Sequence, residues 1–137
     1  MKLSTRSRYG TRMMLDMAQR YNEGPIQIGN IAGRVNVSVK YLEQLIIPLK
    51  KAGFVKSLRG AKGGHMLNKA PNEITVGGIV DVLEGGIDLT DCVGNPRVCK
   101  KHKDCLARSI WEDATKAMYD KLNSITLSEI IDCDKKV

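Results

Sequence analysis

A mainly helical chain with one small β-hairpin is the fold class this sequence predicts. Three observations predict it. Apolar residues recur at helical spacing through most of the chain. Aromatic residues make up only 4% of the composition, so aliphatic side chains and six methionines must fill the core. One glycine-rich turn stands between two short β-prone runs. At 137 residues the chain suits one domain with a modest appendage.

The first helix is predicted from about residue 4 to 21, where Tyr9, Met13, Met17 and Tyr21 recur every four residues. Arg6, Arg8, Arg12 and Arg20 fall between them, and Gly24-Pro25 is the expected stop. Ile26-Gln27-Ile28 alternates and suits a small strand. A short helix over 29–35 follows, closed by Asn36, a residue type that tolerates the left-handed conformation. Ser38 caps the next helix, which extends to about residue 52 on the stripe Leu42, Leu45, Ile46 and Leu49. Pro48 is expected to bend it and Gly53 to end it.

Two β segments, 54–58 and 65–68, flank the hairpin turn Arg59-Gly60-Ala61-Lys62-Gly63-Gly64. A helix from about 75 to 83 has Ile74 placed to pack onto Ile79, and Gly85-Gly86 ends it. Residues 88–103 show no periodicity. A long amphipathic helix is expected over 104–122, with Leu106, Ile110, Ala114, Ala117, Met118 and Leu122 on one side. A last helix starts at Thr126, where Thr126 and Glu129 form a capping box and Ile125 can pack onto Ile130. The expected organisation is a body over 1–85, a cysteine-containing loop over 86–103, and the long and terminal helices over 104–137.

Charge is unevenly spread. Residues 1–70 carry 13 Lys and Arg against Asp16, Glu23 and Glu43, a balance of +10, whereas 71–137 carry 9 against 12 acids, a balance of −3. A basic half joined to a mildly acidic one suits a polyanion-binding module with a second function attached. No run approaches the roughly 20 apolar residues that span a bilayer. The start, Met1-Lys2-Leu3-Ser4-Thr5-Arg6, has no signal-peptide pattern, so the cytoplasm is the expected compartment and no membrane partner is expected.

Two short helices joined by a tight turn, then a glycine hairpin, spell a winged helix-turn-helix. Its second helix can enter a major groove about 12 Å wide. That helix offers Ser38, Lys40, Tyr41, Glu43 and Gln44. Gln44 can pair with adenine, Glu43 can accept from a cytosine amine, and Lys40 and Tyr41 suit phosphates. Arg59 and Lys62 sit on the wing, where glycines permit close approach to a minor groove. No P-loop pattern occurs, and no nucleophile pair or general base stands out, so an enzyme is not expected.

Cys92, Cys99 and Cys105 lie in or beside the aperiodic segment, with six and five residues between them and no C-x-x-C knuckle. Thiols so spaced can form an iron–sulfur cluster site, a zinc site or a disulfide sensor, or stay unliganded. Arg97, Lys100, Lys101 and Lys103 would help neutralise thiolates. A fourth ligand is open between His102, Cys133, a carboxylate and a partner-subunit residue. A small electron-transfer or cluster-carrier protein would explain the cysteines but leave the basic winged helix without a purpose.

Taken together, these segments resemble the iron–sulfur cluster regulator (IscR-type) winged-helix repressors of bacteria. The resemblance rests on Met1-Lys2-Leu3-Ser4 with Arg8-Tyr9, the run from Ser38 to Leu45, Arg59-Gly60-Ala61-Lys62-Gly63-Gly64-His65, the three cysteines, the run from Leu106 to Trp111, and Asn123-Ser124-Ile125-Thr126-Leu127. It covers essentially the whole chain. It implies a homodimer joined through the long helix, a [2Fe–2S] cluster on Cys92, Cys99 and Cys105, and repression of cluster-biogenesis genes from a near-palindromic double-stranded DNA operator. It also implies DNA contacts by Ser38, Lys40, Tyr41, Glu43, Gln44 and Arg59. Two departures stand out. Arg108 occupies the position where well-known members place a histidine ligand, and the first two cysteines are spaced one residue wider. Nitric-oxide sensors and cluster-free cysteine-metabolism repressors share the same fold.

Overall fold

The computed structural model describes residues 2–135. Met1, Lys136 and Val137, which close the expected 1–85 and 104–137 ranges, lie outside the described residues. Seven helices and one antiparallel hairpin occur among the described residues: α1 (Thr5–Gln19), α2 (Ile28–Val35), α3 (Val39–Lys51), β1 (Val55–Leu58), β2 (Gly64–Leu67), α4 (Val76–Glu84), α5 (Asp91–Gly94), α6 (Arg108–Asn123) and α7 (Leu127–Lys135). Single 3-10 turns occupy Pro71–Glu73 and Pro96–Val98.

α1 is the central element and packs on α2, α3, α4, α7 and β2. Its inward side, Met13, Met14, Met17 and Ala18, meets Ile31 and Val35 of α2, Leu42 and Leu49 of α3, Ile79 of α4 and Leu127 of α7, all buried. α1 ends at Gln19, ahead of the Gly24-Pro25 stop, because Asn22 takes a positive φ of 71° and turns the chain first. Asp16 is buried beneath this turn. Its carboxylate accepts from Arg34 Nε at 2.8 Å and Nη2 at 2.9 Å and from Arg20 Nη1 at 3.0 Å, tying α1 to α2.

The tight turn between α2 and α3 forms as the sequence suggests, with Asn36 left-handed at φ 58° and Ser38 Oγ accepting from the Tyr41 amide at 3.2 Å. α3 continues across Pro48. The hairpin register pairs Val55 with Leu67 and Leu58 with Gly64. The expected strand at 26–28 is reduced to one bridge: Ile26 and His65 exchange backbone hydrogen bonds of 2.9 and 2.8 Å, while Ile28 already begins α2. That bridge attaches the hairpin to the chain entering α2. The starts of α4 and α7 are likewise paired. Thr75 caps Gly78, Thr126 caps Glu129, and Val76 N donates to Ile125 O at 2.8 Å.

The largest differences fall after Gly86. The segment expected to lack structure contains α5 and the Pro96–Val98 turn, whose amides are satisfied locally by Thr90, Asp91 and Asn95. The long helix begins at Arg108, four residues later than its apolar pattern predicts. Asp104 and Leu106 lie in turns before it, and Leu106 is 92% exposed. Leucine at this spacing mimics a helical position, but successive turns at 101–107 use the amides of Asp104 and Arg108 for i−3 bonds.

Candidate nucleic-acid interface and cysteine segment

α3 buries Leu42, Leu45, Ile46 and Leu49 and leaves Ser38, Lys40, Glu43 and Gln44 exposed on its other side. Tyr41 is half-buried. Its ring meets Tyr9 edge-on at 6.0 Å, and its hydroxyl bonds to Thr5 Oγ1 at 2.8 Å. Arg59 and Lys62 are exposed on the hairpin turn. The hairpin stands beside α3, with β1 packed against that helix. Burial and then Lys50 lower the His65 pKa, Glu43 opposing them, so the ring is neutral at neutral pH. Ser57 Oγ and His65 Nδ1, 2.7 Å apart, lock the two strands.

Sequence reasoning missed the contribution of α1 to this face. Arg8 and Arg12 stack over Tyr9, at 5.7 and 5.2 Å from its ring, and Arg12 also donates to Val35 O at 3.0 Å. Thr5, Tyr9, Val37, Ser38 and Tyr41 line a hollow between α1 and the start of α3. The available signal was the Arg8/Arg12 pair one helical turn apart around Tyr9, read only as the polar side of an amphipathic helix.

Cys92, Cys99, Cys105 and Cys133 are all unpaired thiols. Cys92 sits in α5 with its Sγ 3.0 Å from Thr90 Oγ1, Cys99 follows the 3-10 turn, and Cys105 is exposed between turns. Among the described residues, no set of three His, Cys, Asp or Glu side chains converges to hold a metal. Chemically the donors fit an iron–sulfur cluster: three soft thiols on a short stretch, with cations around them. Few side-chain bonds tether that stretch, and they reach α6. Ile87 N donates to the Tyr119 hydroxyl, Leu89 N to Thr115 Oγ1 at 3.3 Å, and Arg108 Nε to Cys92 O at 3.4 Å.

The two residues named as fourth-ligand candidates, Cys133 and His102, are differently placed, and Arg108, at the position where well-known members place a histidine, is engaged elsewhere. Arg108 binds the Cys92 carbonyl and pairs with Glu112 at 3.1 Å. Cys133 lines a groove between α7 and Leu15 and Gln19 of α1, with no residue of the cysteine segment. His102 Nδ1 lies 2.9 Å from Cys99 O. A carbonyl only accepts, so Nδ1 donates here and Nε2 is the ring nitrogen that could bind a ligand. Metal-binding histidines are commonly fixed in this way.

A winged helix-turn-helix with a basic, exposed reading helix defines a DNA-binding transcriptional regulator. Residues 3–133 match the Rrf2 family model, described as an iron-dependent transcriptional regulator. The chain is 47% identical over 131 residues to protein rrf2 of Nitratidesulfovibrio vulgaris, covering 96% of this chain and 87% of that protein. Among solved structures, T. potens IscR superposes with a TM-score of 0.79 at 40% identity, covering 98% of this chain and 88% of that one. CymR, the global cysteine regulator of Bacillus subtilis, superposes with a TM-score of 0.77 at 39% identity and 95% coverage of both chains. The chain belongs to the Rrf2 family of transcriptional regulators. Its relatives are regulators and not enzymes. No helix among the described residues is long and apolar enough to cross a membrane.

Proposed function

We propose that this regulator is a homodimeric, cytoplasmic repressor of iron–sulfur cluster biogenesis genes that senses a [2Fe–2S] cluster held by Cys92, Cys99, Cys105 and His102 Nε2. The observation that carries this reading is the grouping of three thiols in one thinly tethered segment between the DNA-binding body and α6. When bound, the cluster supplies iron–thiolate bonds, so that the order of the segment follows cluster supply and redox state. Lys40 and Tyr41 hold phosphates, Glu43 and Gln44 read base edges, and Ser38 fixes the start of α3. Arg59 and Lys62 enter a minor groove, and Arg8 and Arg12 extend the phosphate track along α1.

A second copy of the chain covers the exposed side of α6. Ile110 is 57% and Trp111 40% exposed, with Ala117 beside them, on a helix whose Thr115 side packs inward. Two copies related by a two-fold axis suit a near-palindromic operator. The similarity to a cysteine regulator favours a second reading, a cluster-free thiol-responsive repressor of the same fold.

Anaerobic purification separates the two. The expected protein contains about two iron and two sulfide per chain. Its dithionite-reduced form should show nitrogen coupling in pulsed electron paramagnetic resonance. His102→Ala removes that coupling, and Cys92→Ala removes the iron. A protein free of iron and sulfide after anaerobic reconstitution would establish the cluster-free reading instead.

A further inference from the structure

Glu84 breaks a local rule. It is the last residue of α4, where the helix dipole disfavours a carboxylate. Such conflicts between local preference and position mark residues kept for another purpose. One oxygen, Oε1, accepts three hydrogen bonds, from Ser4 N at 2.9 Å, Ser4 Oγ at 2.6 Å and Ser7 Oγ at 2.6 Å. Ser7 is buried, and Ser4, the residue preceding α1, spends its hydroxyl on Glu84 and gives α1 no side-chain cap. The carboxylate therefore faces the positive end of α1 instead. Burial raises the Glu84 pKa, but the bonds from Ser4 and Ser7, with Arg6 nearby, outweigh it and hold the carboxyl below its ordinary range. α1 and α4 are in close contact at this end: a Cβ on Gly10 would strike Leu83 Cδ1.

The covalent chain leads from this point to two further contacts. Downstream, Gly85 and Gly86 take positive φ angles of 73° and 105°, and Ile87 is held to α6 by the Tyr119 hydroxyl at the start of the cysteine segment. Upstream, Thr5 sits between Ser4 and Ser7, and its hydroxyl bonds to Tyr41 of α3. We infer that Glu84 is a positioning residue for DNA recognition, linking the start of the cysteine segment through Ser4, Ser7 and Thr5 to Tyr41 on the reading helix. When the 87–107 segment shifts at Tyr119, Glu84 releases the start of α1 and Tyr41 loses its anchor. This rests on Tyr41 and Gln44 lying against DNA, as proposed above, and requires no metal.

The test measures discrimination, the ratio of affinities of the full chain for a duplex selected by wild type from a randomised library and for a scrambled duplex. Glu84→Ala, the double variant Ser4→Ala/Ser7→Ala and Thr5→Val should each lower that ratio about tenfold, because the Tyr41 phosphate contact fixes the register of α3, while scrambled-duplex affinity, set mostly by Lys and Arg, falls much less. Combining Glu84→Ala with Thr5→Val should cost no more than the larger single effect, since both cut one chain of contacts. Tyr119→Phe should lower discrimination in wild type and have no further effect on Glu84→Ala. Additive effects, or unchanged discrimination with a lowered melting temperature, would overturn the inference and leave Glu84 a clamp for stability alone. Thr5 is exposed, so Thr5→Val carries the test if Glu84→Ala fails to fold. Gln44→Ala monitors the reading underneath: if it leaves discrimination intact, the groove assignment fails; if it abolishes discrimination while Glu84→Ala does not, only the link through Glu84 fails.

Discussion

Ile110→Glu is expected to yield monomers in sedimentation and to weaken operator binding by about two orders of magnitude. Ile110 is 57% exposed in the single chain, beside Trp111 at 40%, on a helix whose inward contacts are made by Thr115 and Tyr119. The substitution therefore leaves the fold of one chain nearly untouched and acts on association. In the two-fold interface proposed above, a carboxylate in place of Ile110 would be buried on both copies, so each dimer would carry two unpaired buried charges. Losing the dimer halves the number of reading helices engaged at once, and the second half-site no longer adds to the first. Thermal unfolding at low concentration, where both proteins are monomers, should differ little. An Ile110→Glu protein that sediments as a dimer would place the interface elsewhere.

Gly64→Ala should detach the wing. A Cβ at Gly64 would overlap the Ile26 carbonyl and lie 3.0 Å from the Gln27 amide, both backbone groups that no rotamer change can move. The φ of Gly64, 153°, also disfavours a side chain. Relief requires separating the Ile26–His65 bridge, with loss of two backbone hydrogen bonds worth about 1 kcal/mol each and strain besides, about 2–3 kcal/mol in all. Arg59 and Lys62 then lose their fixed position. Chemical denaturation should show the destabilisation, and scrambled-duplex binding should lose salt dependence by about one unit of slope per phosphate contact removed. Gly60→Ala, at φ 109° with nothing within 4 Å of its Cβ, isolates the conformational part alone and should cost about 1 kcal/mol.

The helix-turn-helix was legible because its determinants are local. Asn36, the Ser38 cap, the Leu42–Leu49 stripe and the glycine turn each specify their own backbone within a few residues, and they agree. The cysteine segment was less so. Its short helix has no side-chain cap and its 3-10 turn only the single cap Asn95, which accepts from the Arg97 amide, so neither leaves a periodic trace. Leu106 fell at a helical spacing by coincidence, and only the i−3 bonds at 101–107 exclude it from α6. The chain of contacts through Glu84 spans about eighty residues of sequence and belongs to no motif, so only the packing of α1 on α4 brings it together. Tyr9 and Arg12 illustrate the same limit, since their role beside Tyr41 depends on the crossing of α1 and α3.

In the function proposed above, the state of the cysteine segment governs how α3 reads DNA. The most direct measurement of this is the affinity of anaerobically reconstituted wild type for its selected operator, before and after removal of the cluster by chelation, beside a Cys92→Ala/Cys99→Ala/Cys105→Ala variant. Cluster loss is expected to change operator affinity about tenfold or more, with the triple variant matching the cluster-free wild type and affinity for scrambled DNA nearly constant in all three. Equal operator affinities across loaded, stripped and triple-variant proteins would contradict it, and would make the cysteine segment an appendage with no hold on the reading helix.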